Sequence, residues 1–485
     1  MSNRMRTLCI AAAAALVCAP ALRAQTALSL QDAIAKAQEQ GAQARAAVGA
    51  RDAARARDRA FDTQYYPLLS VGGTAPSYTR SITPVIQPDG STLYRPLEQT
   101  TSGLNAIITQ RVPFTNTSLS FTSGLSRVQV SGVNGLQRWS STPFQVGINQ
   151  PLFRANSQRW DRAQQELRYT SAERRYLEAR EDVALSATAA YFDLYSATAT
   201  LANATTNAAT NDTLYTLNKG RFEVGKIGEN DLLQSELALL RARGSLDDAR
   251  LLYERTLSQF RIVLGLPANA PVSIAPPGTL PVVDADTLLA MSQARRNSSL
   301  MSDAELSEVA ADRAVSEARW NGGAGGNLQA SYGYNATAPT SSEVYKDLLN
   351  AQQLSLSVQI PVWQWGARSA NVSAAKAEKF AAQTTAQNTR AQIEHNARFA
   401  ALQLTQAGRA LTIAAKADTV AAKRFEVAYN RYVIGRISID NLYLAQNEKD
   451  QALAQYVQSL RSYWTAFYQL RKTTLYDFEK RESLR

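Results

Sequence analysis

Few side chains in this sequence could do covalent chemistry. His395 is the only histidine, so a Ser-His-Asp triad would have to run through it, and a multi-histidine metal site cannot be assembled. It sits inside a long Ala- and Gln-rich stretch and reads as a surface or packing residue. Gly322-Gly323-Ala324-Gly325-Gly326 invites a phosphate-loop reading. It lacks the Lys-Ser/Thr ending and precedes an alternating segment instead of opening a helix, the reverse of the order a phosphate loop needs. A helix-to-strand joint is the better account. The acidic pairs Glu181-Asp182 and Asp247-Asp248 stand among basic residues on helical patterns and read as solvated faces. No enzyme activity, cofactor or metal is expected.

Cysteine usage agrees. Cys9 and Cys18 both lie in an N-terminal segment with a basic start, Arg4 and Arg6, an apolar run from Leu8 to Val17 and small residues around Ala19-Pro20-Ala21. That is an export signal over residues 1–24, too short to span a membrane. Lipidation at Cys18 is disfavoured by Val17 before it. The mature chain is then expected to hold no thiol, and so no disulfide or thiolate metal site. The formal charge is +11, and losing Arg4, Arg6 and Arg23 leaves +8. A basic exported chain suits acidic headgroups or anionic cargo, though scattered surface arginines are the better account of the charge. No nucleic-acid partner is expected. No later stretch reaches the ~20 apolar residues of a membrane helix. If the chain crosses a membrane it does so with strands, because lipid demands that every backbone polar group be paired.

These residues must be positioned by elements that occur twice. Gln150-Pro151-Leu152-Phe153 is answered 210 positions later by Ile360-Pro361-Val362-Trp363. Arg221, Gly225, Ile227 and Leu232 are answered at the same offset by Arg431, Gly435, Ile437 and Leu442. A repeat of this size means one structural unit built twice. Before each proline the residues alternate. Phe144, Val146 and Ile148 stand between Gln145, Gly147 and Asn149, and Leu354, Leu356 and Val358 between Ser355, Ser357 and Gln359. Leu119 and Phe121, and Leu328, Ala330, Tyr332 and Tyr334, alternate likewise. A period of two marks strands with one apolar and one polar face. It fits a membrane barrel wall or a soluble sandwich.

After each proline comes a rod. Ser157 to Phe222 contains no proline and one glycine, Gly220, and Arg368 to Tyr432 is as uninterrupted. At 1.5 Å per residue each is a helix of about 100 Å. Both are rich in Ala, Gln, Asn, Thr and Arg, which favours close packing through small side chains with one wet face. Each rod ends in a glycine turn, and a return helix follows; Leu233, Leu237 and Leu240 give the first return its helical stripe. The expected layout is a first repeat over 25–266, with a helix, a strand region 68–153, a long helix 157–223 and a return helix 229–264. A Pro-rich linker, 267–284, leads to a second repeat over 285–476, with a helix, a hairpin 327–363, a long helix 368–433 and a return helix 439–475. A frayed charged tail, 477–485, ends the chain. The turn residues Val224, Gly225 and Lys226, with Ile434, Gly435 and Arg436, form tips that a partner could meet; helix C-capping by glycine also accounts for them.

Strand, Gln-Pro-Leu-Phe, long rod, Arg-Phe-x-Val-Gly and return helix, in that order and duplicated, resemble the TolC-like outer-membrane efflux channel family over essentially the whole mature chain. The resemblance implies a mainly helical protein with membrane strands. Long antiparallel helical hairpins would form an α-barrel in the periplasm, and strands would be contributed to a shared β-barrel of a homotrimer in the outer membrane. It implies a passive exit duct of a tripartite efflux or type I secretion system. A periplasmic adaptor (membrane fusion protein) would dock at the tips, and an inner-membrane pump of RND, ABC or MFS type would supply the energy. It implies an iris-like gate in which a first-hairpin aspartate pairs with a second-hairpin tyrosine; Asp231 and Tyr432 occupy those positions. The arginine of that network falls on Ile437, with Arg436 one place away. The acidic constriction falls on Asn441, beside Asp440, and on Leu444. Two strands per repeat, four per chain, cannot close a barrel that starts at about eight, so chains must share. The first strand region is far longer than the second. Thr109-Gln110-Arg111-Val112-Pro113-Phe114 echoes the joint at Pro151, which suggests an extra strand pair over 105–112 and 118–130. That pair either joins the wall, giving six strands, or forms a cap. The rival reading, a periplasmic coiled-coil adaptor, explains the rods but not the alternation.

Overall fold

The computed structural model describes residues 27–131, 135–278, 281 and 283–484; the export signal expected at 1–24 lies outside them. The chain folds as two units. One takes Gly49–Tyr176 and Arg295–His395 and holds the sheet. The other takes the residues through Val48, Leu177–Ala294 and Asn396 onward. Two helices of 67 residues, α3 (Ser157–Glu223) and α7 (Ala367–Val433), belong to both.

In the sheet unit the strands β1 (Leu68–Ile86), β2 (Thr92–Val112), β3 (Thr117–Ser131), β4 (Leu136–Leu152), β5 (Gly325–Ala338) and β6 (Leu349–Gln359) form one sheet in sequence order. Every neighbouring pair is antiparallel. The extra pair suspected around 105–130 therefore belongs to the sheet, and the chain supplies six strands, not four. The shorter expectation counted only one hairpin per repeat; Pro113 and Asn116, the latter at φ 62°, turn β2 into β3 and add the second.

Cross-strand partners share a face, and the register sorts the two faces by polarity. Leu69, Ile108, Phe121, Val146 and Tyr332 form one continuous row, and Leu119, Ile148, Ala330 and Leu354 the next. On the other face Thr109, Ser120, Gly147, Ser331 and Gln353 line up, followed by Ser118, Asn149, Gln329 and Ser355. Gly147 and Gly333 keep the ladder tight, since a Cβ at Gly147 would stand 2.6 Å from Ser120 Oγ. The apolar face is not covered: Leu69 is 63% exposed and Leu354 77%.

The helical unit begins with α1 (Leu30–Gln40), whose Ser29 and Asp32 form a reciprocal capping box. The sequence pattern suggests one helix here, yet it breaks at Gly41. Gly41 adopts an extended backbone, and α2 (Ala42–Thr63) starts anew. The break lets the chain touch the left-handed cap of α4 (Glu229–Leu264): a Cβ at that cap, Gly265, would meet the Gln40 carbonyl at 2.5 Å. The second repeat likewise opens with two helices, α5 (Thr287–Asn297) and α6 (Ser299–Asn321). Its return helix is α8 (Ile439–Thr474).

The core gathers Trp464, Phe467 and Tyr468 of α8 with Tyr191 and Phe192 of α3 and Phe260 of α4, all buried. Trp464 stacks on Tyr468 at 6.1 Å and meets Phe467 edge-on at 5.7 Å. The proline-rich linker is strapped to this core by the hydroxyls of Tyr191 and Tyr463, which donate to the carbonyls of Ala275 and Pro281. The tail expected to fray does not. It forms a short hairpin, β7 (Tyr476–Asp477) with β8 (Glu482–Ser483), and Tyr476 and Phe478 are buried. Arg471 explains it, lying between Glu181 at 3.1 Å and Asp477 at 2.6 Å. Burial opposes the guanidinium charge, but the Glu181 and Asp477 carboxylates outweigh it and raise the Arg471 pKa. Removing one partner of such a buried cluster leaves uncompensated charge. Arg471→Ala is therefore expected to cost about 3 kcal/mol or more. Lys472→Ala, which loses an exposed pair to Asp182, should cost under about 1 kcal/mol. Urea unfolding in detergent, followed by tryptophan emission, compares the two; equal midpoints would contradict the assigned role of burial.

Candidate functional site

Two regions carry the residues singled out above. The first is the set of joints where strands become helices. Pro151 sits in the last turn of ladder, paired with Asn327, and Leu152 with Gly326. Phe153 then adopts a left-handed backbone, φ 55°, and Asn156 caps α3 by accepting from the Arg159 N–H at 3.1 Å. The same Asn156 donates to the carbonyls of Pro113 and Phe114, which ties the β2–β3 turn to the joint. In the second joint Pro361 follows β6, Trp363 packs edge-on against Trp365 at 5.3 Å, and Trp365 and Gly366 both have positive φ. Both joints are bound to the C-terminal end of α6. Arg154 donates to the Asn321 carbonyl at 2.8 Å, Arg368 to that of Arg319 at 3.0 Å and Gln364 to that of Gly322 at 3.1 Å. These donors satisfy carbonyls a helix end leaves open, and the two guanidinium charges complement its dipole.

The second region, in the helical unit, is the pair of tips. Each is the same turn. The Lys226 N–H donates to the Arg221 carbonyl at 2.8 Å and the Arg436 N–H to that of Arg431 at 2.9 Å. Gly225 and Gly435 take the left-handed position at φ 70° and 74°, a Schellman cap that glycine occupies without strain. Val224, Lys226, Ile434 and Arg436 point to solvent. The tips touch through Arg221, which donates to the Val433 carbonyl at 2.8 Å and lies 5.4 Å from the Tyr432 ring.

Tyr432 does not pair with Asp231. Its hydroxyl is buried and donates to Asn218 Oδ1 on α3 at 2.8 Å, within an apolar cluster of Leu214, Ile439 and Leu442. Asp231 lies in the first turn of α4, where helix-end N–H groups and water suit a carboxylate. Asp440 accepts instead from Gln234 Nε2 at 2.6 Å, a contact between the two hairpins. Asn441 turns back to Ser438 at 3.0 Å, and Leu444 is exposed. Burial, with Tyr432 nearby, pushes the Tyr443 phenol up to about 12. Asn218 and Gln234 escaped the sequence reading because neither lies in the repeated motif; the only trace is a helical spacing of Asn211 and Asn218 on one face of α3. Arg436 forms no pair with Asp231 or Asp440 among the described residues. No three His, Cys, Asp or Glu side chains of these residues converge as a metal site.

Against known proteins, residues 109–266 match the family model of outer membrane efflux proteins. No curated protein matches the chain in sequence. Among solved structures it is similar to the Campylobacter jejuni CmeC outer membrane channel, with a TM-score of 0.66 at 16% identity over 94% of this chain and 87% of that one. The outer-membrane channel OprN matches with a TM-score of 0.66 at 15% identity, covering 93% and 90%. The Vibrio cholerae outer membrane protein VceC matches with 0.65 at 13%, covering 92% and 95%. Residues 109–266 are thus similar to outer membrane efflux proteins, and the chain has the fold of these channels: long helical hairpins joined to an antiparallel sheet that is open in the single chain.

The tip geometry makes a specific claim about which residue Tyr432 answers to. Tyr432→Phe leaves Asn218 Oδ1 buried and unpaired and should lower stability by about 1–2 kcal/mol. A double-mutant cycle with Asn218→Ala is expected to show coupling of about 1 kcal/mol, and one with Asp231→Ala none. Measured unfolding energies that couple Tyr432 to Asp231 instead would overturn the assignment.

Proposed function

We propose that the chain is a passive outer-membrane exit duct of a tripartite efflux or type I secretion system, acting as a homotrimer. The observation that carries this reading is the sheet. One face carries exposed rows of mainly apolar side chains and the other is mainly polar, which is how a barrel wall faces lipid on one side and water on the other. No helix among the described residues is long and apolar enough to cross a membrane, and a strand wall needs none. β1 and β6 are edges, and six strands fall short of the roughly eight that close a barrel. An open edge in lipid leaves backbone groups unpaired, so copies must join edge to edge.

The rods support the same conclusion. Ile413, Val420 and Val427 follow each other at heptad spacing on α7, and all are exposed. Leu233, Leu237 and Leu240 of α4 form a second exposed stripe. Two different uncovered stripes per chain fit a head-to-tail contact, which closes into a ring. The tips at Val224, Gly225 and Lys226 and at Ile434, Gly435 and Arg436 are the surface offered to a periplasmic adaptor. An RND, ABC or MFS pump in the inner membrane supplies the energy. Opening is an iris-like movement of the α7–α8 hairpin against α3–α4, and it breaks the Tyr432–Asn218 and Gln234–Asp440 hydrogen bonds. Asp231, Arg436 and Asn441 line the rim of that movement. An adaptor would leave the exposed sheet without a purpose.

In planar bilayers, Asn218→Ala combined with Tyr432→Phe should raise single-channel conductance above wild type, and Gln234→Ala should do so alone. Unchanged conductance in both rejects the gate. Wild-type protein that releases from membranes on alkaline washing, without detergent, rejects the duct.

A further inference from the structure

One end of the sheet has a composition found nowhere else in the chain. Five passages meet there: α2 into β1, β2 into β3, β4 into α3, α6 into β5, and β6 into α7. The register holds them together, through Leu68 opposite Thr109, Val112 opposite Thr117, Leu152 opposite Gly326 and Gly325 opposite Gln359. Each passage displays an exposed aromatic ring: Tyr66, Phe114, Phe153, Trp320, and the Trp363–Trp365 pair. Residues 63–68, 109–118, 150–158, 318–328 and 359–375 contain no aspartate or glutamate. Four of these passages carry an exposed arginine within three positions of the ring: Arg111, Arg154, Arg319 and Arg368.

Two features argue that this arrangement is built. Phe153 and Trp365 hold left-handed backbones, which cost bulky residues energy that glycine or asparagine would not incur. Trp365 is nonetheless 88% exposed, and the edge-on Trp363 ring is the one aromatic contact it makes among the described residues. The glycine run next to them has a steric role. A Cβ at Gly323 would stand 2.9 Å from the Arg368 guanidinium, and one at Gly325 would collide with that of Arg154. The glycines make room for two cations beside one helix end. Each guanidinium uses N–H groups on an α6 carbonyl and keeps others free. The Arg319 side chain makes no hydrogen bond or ion pair among the described residues.

We infer that this belt is a binding collar for anionic phospholipid headgroups, in the leaflet that faces the helices. The inference rests on the duct reading, which puts the apolar sheet face in lipid. Aromatic rings settle at the boundary between acyl chains and headgroups. Arginines beside them, with no carboxylate in any of the five passages, meet the phosphates there. A soluble anion would call for the arginines but not for the exposed rings.

The test uses the purified full-length protein in detergent, offered phosphatidylglycerol, phosphatidylcholine or inorganic phosphate. Native mass spectrometry counts retained lipid, and thermal unfolding reports the shift in Tm. Phosphatidylglycerol should be retained and raise Tm, phosphatidylcholine should do so less, and inorganic phosphate not at all. Arg319→Gln, which breaks no bond in the fold, should weaken phosphatidylglycerol retention about fivefold and leave phosphatidylcholine unchanged. Arg154→Lys with Arg368→Lys should keep the preference, because the charge remains. Equal retention of the two lipids, or an equal Tm shift from inorganic phosphate, overturns the collar. If that happens in protein that still resists alkaline extraction, the duct reading stands alone; if the protein washes off, both fall.

Discussion

Backbone hydrogen bonding at the two free edges of the sheet is the constraint from which the rest follows. Six strands pair internally without a break in order, yet β1 and β6 each present a row of N–H and C=O groups with no strand partner among the described residues. In water such edges are tolerated when short or charged. Here β1 runs for 19 residues, and its neighbouring face is exposed and apolar at Leu69 and Val71. The proposed duct meets both problems at once, with a closed wall made by several copies and lipid outside. The exposed stripes on α4 and α7 then cease to be liabilities, because the same closure brings helices from neighbouring copies together.

The wall must also be joined to the helices, and the chemistry of the joint is the chemistry of changing period. A strand repeats every two residues and a helix every 3.6, so the chain needs a residue that belongs to neither. Proline ends the donor row at Pro151 and Pro361. Left-handed residues, Phe153 in one case and Trp365 with Gly366 in the other, redirect it. Asn156 starts the first rod. The end of α6 between the joints binds both through Arg154, Gln364 and Arg368. The repeat in sequence is thus not two independent units but two arms fastened to one helix end, which explains why the glycine run occurs only once.

What the sequence revealed was whatever depends on local periodicity. Alternation at Phe144–Ile148 and Leu354–Val358 marked strands because side-chain direction is a property of neighbours two apart. The rods at Ser157 and Arg368 were visible because no proline interrupts them. What stayed hidden depends on distant partners. The break at Gly41 is set by contact with Gly265, 224 positions on. The tail from Asp477 looked charged and loose because Glu181, which helps to hold Arg471 beside it, is far away in the chain. Leu233, Leu237 and Leu240 gave the right helix but face solvent in the single chain, since a stripe says that something covers it and not what. For Tyr432 the resemblance supplied an aspartate as partner, while its buried hydroxyl donates to Asn218, a residue outside the repeated motif.

Buried polar atoms without partners are more numerous toward the tips of the helical unit than around Arg471. Around Arg471 both carboxylates, Glu181 and Asp477, are engaged, and of the rings packed beside it only the Trp464 Nε1 is buried without a partner among the described residues. Toward the tips there are more. Asn211 Oδ1, Asn218 Nδ2, the Tyr443 hydroxyl and Gln446 Oε1 are buried without a hydrogen-bond partner. Each such atom costs about 1–3 kcal/mol in the arrangement described. A second arrangement of α8 against α3 that paired even two of them would offset the loss of the Tyr432–Asn218 and Gln234–Asp440 bonds. The specific contacts at the tips thus stand on a poorly satisfied polar background, which is the condition for two packings of similar energy, and the proposed iris movement needs two such packings.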